Sequence, residues 1–145
     1  MVKDNKQKHN LFLGFEPDEI VNLYKFLSAY EKIESYRQDE SFKRAYPKLY
    51  ESLFEVLKSL DLKAENGISI IQDVNKVRYT NAKRNKHLAF LYHLRNSVAH
   101  GYIRKGEVIE IKDLLNRELT ASGNIDNEKF ARIINVMNLE LLNDF

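Results

Sequence analysis

The stretch "LYHLRNSVAHGYI" at positions 91–103 contains three side chains that together suit phosphodiester chemistry. Arg95 and Asn96 come first, and His100 follows five residues after the arginine. Histidine, with an unperturbed pKa of about 6.5, can take or give a proton at neutral pH. Arginine offers permanently charged donors to phosphate oxygens and to the extra negative charge of a transition state. Because the 2′-hydroxyl of RNA can act as the nucleophile without a metal, the combination points to RNA as substrate.

The same residues also fit a non-catalytic helix end, where the helix dipole favours a histidine. On a wheel of about 100° per residue, Arg95 and His100 lie about 140° apart, so one chain does not aim both at one spot. One side of the wheel, opposite the apolar side, carries Ala89, His93, Asn96 and His100. We expect this side to pack on a second copy, so that each residue appears twice around a two-fold axis. His93 is then expected at the interface or beside the cleft.

Composition sets limits on the class of protein. The chain has 145 residues, no cysteine and a formal net charge of +2. The absence of cysteine excludes disulfides, thiolate metal sites and cysteine nucleophiles. No stretch approaches the roughly 20 apolar residues of a membrane span, so we expect a cytoplasmic protein without a membrane partner. The charge is too small to indicate nucleic acid unless basic residues cluster locally.

Apolar periodicity predicts four helices before the glycine that follows the motif. They cover residues 15–35, 40–60, 68–79 and about 85–100, with Pro47 either starting or kinking the second. The fourth contains the motif and is called the motif helix. The other predicted helices would have to pack against the motif helix to position its side chains.

A change of period follows Gly101, which is well placed to end the motif helix in a left-handed conformation. Residues 102–113 and 117–125 are rich in strand-forming types, and Lys105-Gly106 suits a tight hairpin turn. A last helix with an apolar stripe then begins at Asp126 or Asn127, either of which can cap it.

These elements predict an all-α fold. We expect an up-and-down helical bundle of four to five helices, with a small β hairpin or meander inserted before the last helix. Residues 1–14 are expected to form a flexible N-terminal arm, and residues 15–145 a single domain.

A basic segment leads into the motif helix. The candidate RNA-binding residues are Lys76, Arg78, Tyr79, Lys83, Arg84 and Lys86. The cations could line an approach for an RNA backbone and Tyr79 could stack a base, although a solvated surface explains the segment equally well.

Two further questions concern metal and acidic partners of the motif. The histidines at 87, 93 and 100 lack the i, i+4 spacing of a helical metal site, so no metal or other cofactor is expected. An acidic partner that orients Arg95 could come from several places, and the pattern does not choose among Asp39, Glu40, Glu51 and Asp73.

The motif "LRNSVAHG" resembles the signature of the HEPN superfamily (higher eukaryotes and prokaryotes nucleotide-binding domains). That signature is an arginine, a polar residue, a few more positions and a histidine at a helix end, which Arg95, Asn96 and His100 match in turn. The motif itself covers about eight residues, and the β-rich segment before a last helix is also similar to bacterial members from defence and toxin–antitoxin loci.

The resemblance implies a helical bundle, a homodimer with a composite cleft and metal-independent endoribonuclease activity. It gives His100 the acid–base role, Arg95 the phosphate and Asn96 a positioning role, with 2′,3′-cyclic-phosphate or 3′-phosphate ends as products. Tyr102 matches a position that is adenylylated in HEPN toxins paired with nucleotidyltransferase antitoxins, so an antitoxin or nucleotidyltransferase is an implied partner. The alternatives are a non-catalytic HEPN module that dimerises or binds a nucleotide or protein, and a generic helical interaction domain.

Overall fold

A computed structural model describes residues 12–80 and 83–142. The helices in this part of the chain are α1 (Pro17–Glu31), α2 (Asp39–Ala45), α3 (Pro47–Leu57), α4 (Lys86–Ala99) and α5 (Asn127–Leu142). The strands are β1 (Phe12–Leu13), β2 (Asp61–Ala64), β3 (Lys76–Tyr79), β4 (Ile103–Lys105), β5 (Val108–Leu115) and β6 (Glu118–Asp126).

All six of these strands form one mixed sheet, in the order β1-β4-β5-β6-β3-β2. The two outer pairs, β1 with β4 and β2 with β3, are parallel, and the three inner pairs are antiparallel. The prediction of an all-α bundle is therefore wrong. The hairpin predicted after Gly101 is present. It lies in the middle of the sheet, with β1 on one side and β3 and β2 on the other.

The third predicted helix, residues 68–79, is also wrong. Residues 65–75 contain no helix, and Lys76–Tyr79 is the strand β3 between β6 and β2. The helical spacing of Ile68, Ile71, Val74 and Val77 was coincidental, since only Val77 of these four is buried. Ser122 and Asn124 of β6 instead bind the main chain of this segment, through the Ile71 N–H and the Ile71 carbonyl.

The other predicted helices are confirmed, and local signals explain their ends. The second predicted helix divides at Tyr46, whose φ of −135° and ψ of 69° are not helical, and Pro47 starts α3. Asn85 and His100 flank α4, and Gly101 follows with a φ of +72° that favours glycine.

Two helices, α4 and α5, pack on the sheet, and the other helices pack on these two or on each other. The helix α4 contacts β2, β3 and β5, and α5 contacts β5 and β6. The helix α1 packs against both α4 and α5, so the motif helix lies between other helices and the sheet. Its apolar side chains Phe90, Leu91 and Leu94 are fully buried.

The cap of α5 is confirmed as Asp126, whose Oδ1 accepts the Lys129 N–H at 2.9 Å. This backbone hydrogen bond, with help from Asn75 and Lys129, holds the pKa of the Asp126 carboxyl below its usual range. A lowered pKa means that the ionised carboxylate contributes stability above its unfolded pKa of about 3.9, and that this contribution disappears as the pH falls through the folded value.

Replacement of this cap is expected to cost about 1 kcal/mol at neutral pH, the usual cost of removing an N-cap. In urea denaturation, Asp126→Ala should unfold more easily than the wild type near pH 7, and the difference should shrink as the pH is lowered below about 4. Asp126→Asn, which keeps an uncharged acceptor, should lose less. A difference for Asp126→Ala that stays constant down to acid pH would contradict the role of the charged carboxylate.

Part of the predicted arm can be placed. Phe12 and Leu13 form β1 beside β4, whereas residues 1–11 lie outside the described residues. The single domain predicted for 15–145 stays a prediction, and its last three residues are likewise outside the described part. In residues 12–80 and 83–142, no helix combines the length and apolarity needed to cross a membrane.

Candidate functional site

The side of the motif helix α4 that was expected to meet a second copy is covered at Ala89 and His93, and it is open at Asn96 and His100. Ala89 and His93 on that side are 1% and 2% exposed, because the sheet of the same chain packs over them. The prediction that His93 lies in a dimer interface or cleft is therefore corrected: its ring is in the interior. Charge and amphipathic spacing did not reveal this, since the covering strands come from distant parts of the sequence.

A narrower stripe of α4 remains open to solvent in the C-terminal half of the helix. It consists of Tyr92, Arg95, Asn96, Ala99 and His100, spaced i, i+3, i+4, i+7 and i+8, and we call it the α4 stripe. These side chains are half-buried or exposed, whereas the residues between them are buried. The stripe places all three motif residues on one open surface of a single chain.

A buried carboxylate supports this stripe from below. Asp113 of β5 is 3% exposed, and its Oδ2 accepts hydrogen bonds from Asn96 Nδ2 at 3.0 Å and from His93 Nδ1 at 2.8 Å. Asn96 Oδ1 in turn accepts from Arg95 Nη1 at 3.1 Å. The hydrogen bonds His93–Asp113–Asn96–Arg95 thus form a network that extends from the core to the surface.

His93 has an acceptor beside each of its ring nitrogens. Its Nδ1 lies 2.8 Å from Asp113 Oδ2, and its Nε2 lies 3.2 Å from the backbone carbonyl oxygen of Thr80. A proton on either ring nitrogen therefore has an acceptor. The ring is buried beside Asp113 and anchors the network in the core.

The strand geometry beside Asp113 is irregular. The pairing of β5 with β6 shifts register between Asp113 and Leu114, so that Thr120 is the extra residue on β6. Thr120 donates from Oγ1 to the Asp113 carbonyl oxygen at 3.1 Å. Bulges of this kind re-aim side chains next to functional sites, and here the bulge follows the carboxylate that supports the motif.

His100 stands at the far end of the α4 stripe. It is exposed, caps the helix with φ −99° and ψ 2°, and its side chain makes no hydrogen bond with any described residue. Its ring centroid lies 6.1 Å from that of Tyr102, which is 45% exposed. Both side chains are therefore open to solvent.

The predicted RNA-binding residues divide into two groups. Lys76, Arg78 and Tyr79 lie on β3, where Arg78 binds Asp61 and Glu65 and is 8% exposed. Tyr79 is 3% exposed, and burial raises the pKa of its phenol. The ring of Tyr79 is thus not available to stack a base, and the guanidinium of Arg78 is already engaged.

In the second group, Lys83 and Arg84 precede α4, and Lys86 is its first residue, about 20 Å along the helix from His100. The Arg84 side chain lies over the Tyr92 ring, with its Cζ 4.3 Å from the ring centroid. This cation–π contact connects the group to the α4 stripe. Lys83 and Lys86 are exposed.

The acidic partner of the motif was not among the four that the sequence offered. Asp39 binds His87 at 3.2 Å, and Asp73 binds Lys76 at 3.4 Å. Asp113 was missed, although the alternation of Ile109, Ile111 and Asp113 places it on the buried face of its strand. A carboxylate at a core position of a strand is the signal that could have found it.

No group of three or more histidine or acidic side chains within residues 12–80 and 83–142 could hold a metal ion. Comparisons of the chain with protein-family models, with curated proteins and with solved structures give no match. The resemblance to HEPN proteins therefore rests on the eight-residue motif.

Proposed function

We propose that this protein is a metal-independent endoribonuclease with the HEPN-type arginine–histidine motif, acting on cytoplasmic RNA. The observation that carries the proposal is the α4 stripe, in which Arg95, Asn96 and His100 share one open surface above a buried carboxylate. The arginine can stabilise the charge of the transition state, the unpaired histidine can transfer a proton, and the amide can position the arginine. The fold that presents them is the mixed-sheet fold described above.

In the proposed reaction, an imidazole takes the proton of the RNA 2′-hydroxyl, and the 2′-oxygen attacks the adjacent phosphorus. The bond from phosphorus to the 5′-oxygen breaks, and that oxygen leaves with a proton from an imidazolium. The products are a 2′,3′-cyclic phosphate and a 5′-hydroxyl. Arg95 neutralises the phosphorane charge, and Asn96 holds the arginine in place.

A second copy of the chain would supply the second imidazole. The α4 stripe contains Ala99 between Arg95 and His100, and a small residue lets another helix approach closely. Two stripes meeting at a two-fold axis would bring two histidines and two arginines to one cleft. A toxin–antitoxin or phage-defence setting, with an antitoxin or nucleotidyltransferase partner, is consistent with such an activity.

The test is RNA cleavage by the purified protein in EDTA, with analysis of the product ends, beside Arg95→Ala and Arg95→Lys. Cyclic-phosphate ends and a loss of about a hundredfold in Arg95→Ala are expected, because a transition-state charge donor is worth about this much. Arg95→Lys should recover only part of the rate, since lysine lacks the planar fork. Exposed Arg132 of α5 offers a matched control, Arg132→Ala, that should cleave like the wild type.

Equal cleavage by wild type and Arg95→Ala, or products without cyclic-phosphate ends, would reject the proposal. One observation favours a second candidate, a non-catalytic module. The Asn96–Asp113–His93 hydrogen bonds join α4 to β5, which is a structural task that needs no substrate. A protein inactive on several RNAs, yet dimeric through the α4 stripe, would support that candidate.

A further inference from the structure

A groove opens directly beyond His100, where the sheet meets the end of α4. Its walls include Leu13, Tyr102, Arg104, Glu110 and Lys112, and it encloses about 250 Å³. We call it the β4–β5 groove. That volume is several times the roughly 30 Å³ share of one water molecule and lies just below the range of drug-sized pockets. The groove can therefore accept one planar group.

The groove combines an open aromatic ring with an unpaired cation. Tyr102 is 45% exposed, and its hydroxyl has no hydrogen bond with any described residue. Arg104 binds Glu110 at 2.8 Å, whereas the Lys112 ammonium has no acidic partner in the described part of the chain. The backbone N–H of Lys112 donates to the backbone carbonyl oxygen of Tyr102 at 3.1 Å, which holds the two residues side by side.

From this arrangement we infer that the β4–β5 groove binds one nucleotide of a single-stranded RNA, with Tyr102 stacking the base and Lys112 contacting a phosphate. The inference rests on the proposed ribonuclease function, because it places this nucleotide next to the phosphodiester whose cleavage His100 would catalyse. The 6.1 Å between the His100 and Tyr102 ring centroids puts both rings within reach of one nucleotide. Aromatic stacking is tolerant of base identity, so the groove selects single strands rather than a sequence.

The experiment measures binding of a short fluorescent single-stranded RNA to the His100→Ala protein, in which cleavage does not interfere. Adding Tyr102→Leu is expected to weaken binding by about five- to a hundredfold, the range for loss of one stacked base, and Tyr102→Phe should retain most of it. Adding Lys112→Met should reduce the slope of log affinity against log salt by about 0.7, the value for one phosphate contact on a single strand.

An exposed tyrosine and an exposed lysine outside the groove provide matched controls. Tyr24 is 54% exposed on α1, and Lys25 beside it is also exposed. In the same background, Tyr24→Leu should leave affinity unchanged, and Lys25→Met should leave the salt slope unchanged.

The outcomes separate this inference from the proposed function. If the parent fails to bind RNA, or if the Tyr102 and Lys112 variants bind like the controls, the groove is not the site, even if the wild type cleaves RNA through Arg95. If both groove variants lose binding while Arg95→Ala cleaves like wild type, the groove stands as an RNA site and the ribonuclease proposal fails.

Discussion

Replacement of His100 by alanine is expected to lower the rate of RNA cleavage by about a hundred- to ten-thousandfold, the range of general acid–base catalysis. The reason is that His100 is the exposed imidazole of the motif and its side chain makes no hydrogen bond with the described residues. For the same reason its loss should leave the free energy of unfolding within about 0.5 kcal/mol of the wild type. Initial cleavage rates and urea denaturation, measured on one preparation, test both statements.

A loss of cleavage that accompanies a loss of stability would not support a chemical role for His100. The pH dependence of the wild-type rate gives a further check. Two imidazoles acting as base and acid produce a bell-shaped profile of the rate against pH. Cleavage by His100→Ala at the wild-type rate would remove the histidine from the mechanism.

Replacement of Asp113 by alanine is expected to destabilise the fold by about 1–3 kcal/mol, the cost of leaving a buried hydrogen-bonding group without its partner. The side chains of Asp113 and His93 are 5% and 3% exposed, and Asn96 shares the same carboxylate oxygen. Alanine would leave the His93 ring without this partner and free the Asn96 amide. Chemical denaturation with urea measures the change.

Two variants define what that result means. Asp73, whose side chain is 74% exposed and pairs with Lys76, provides a matched control, and Asp73→Ala should change stability by no more than about 0.5 kcal/mol. Asp113→Asn keeps an acceptor but loses the charge, so its cost should lie between the two. A cost for Asp113→Ala no larger than that for Asp73→Ala would show that the carboxylate does not anchor the motif helix.

The helices could be predicted because residues at their ends determine where they begin and end. Pro47 starts one helix, Gly101 ends another and Asp126 caps a third, and each of these acts within a few residues. The sheet could not be predicted in the same way. Its strand β3 pairs with residues 121–124 of β6 and with residues 61–64 of β2, and such pairings leave no periodic trace in either segment.

The site was predictable in its residues and not in its surroundings. Arg95, Asn96 and His100 were found by type and spacing, and the structure places them on one stripe. From the helical wheel we predicted that the side of Ala89 and His93 packs on a partner chain. The wheel contains no information about β5, which covers this side in the structure. The buried position of Asp113 follows the alternation of its strand, but its contact with α4 depends on the packing of the whole sheet.

The position of Asp113 on β5 has a consequence for how the chain is made. A ribosome adding about 5 to 20 residues per second completes the motif helix roughly one to three seconds before Asp113 appears. A chain that stops in this interval contains Arg95, Asn96 and His100, but neither the carboxylate that anchors them nor the strand that covers His93. In an unfinished chain of this length, the motif helix therefore lacks the hydrogen bonds that join it to the sheet.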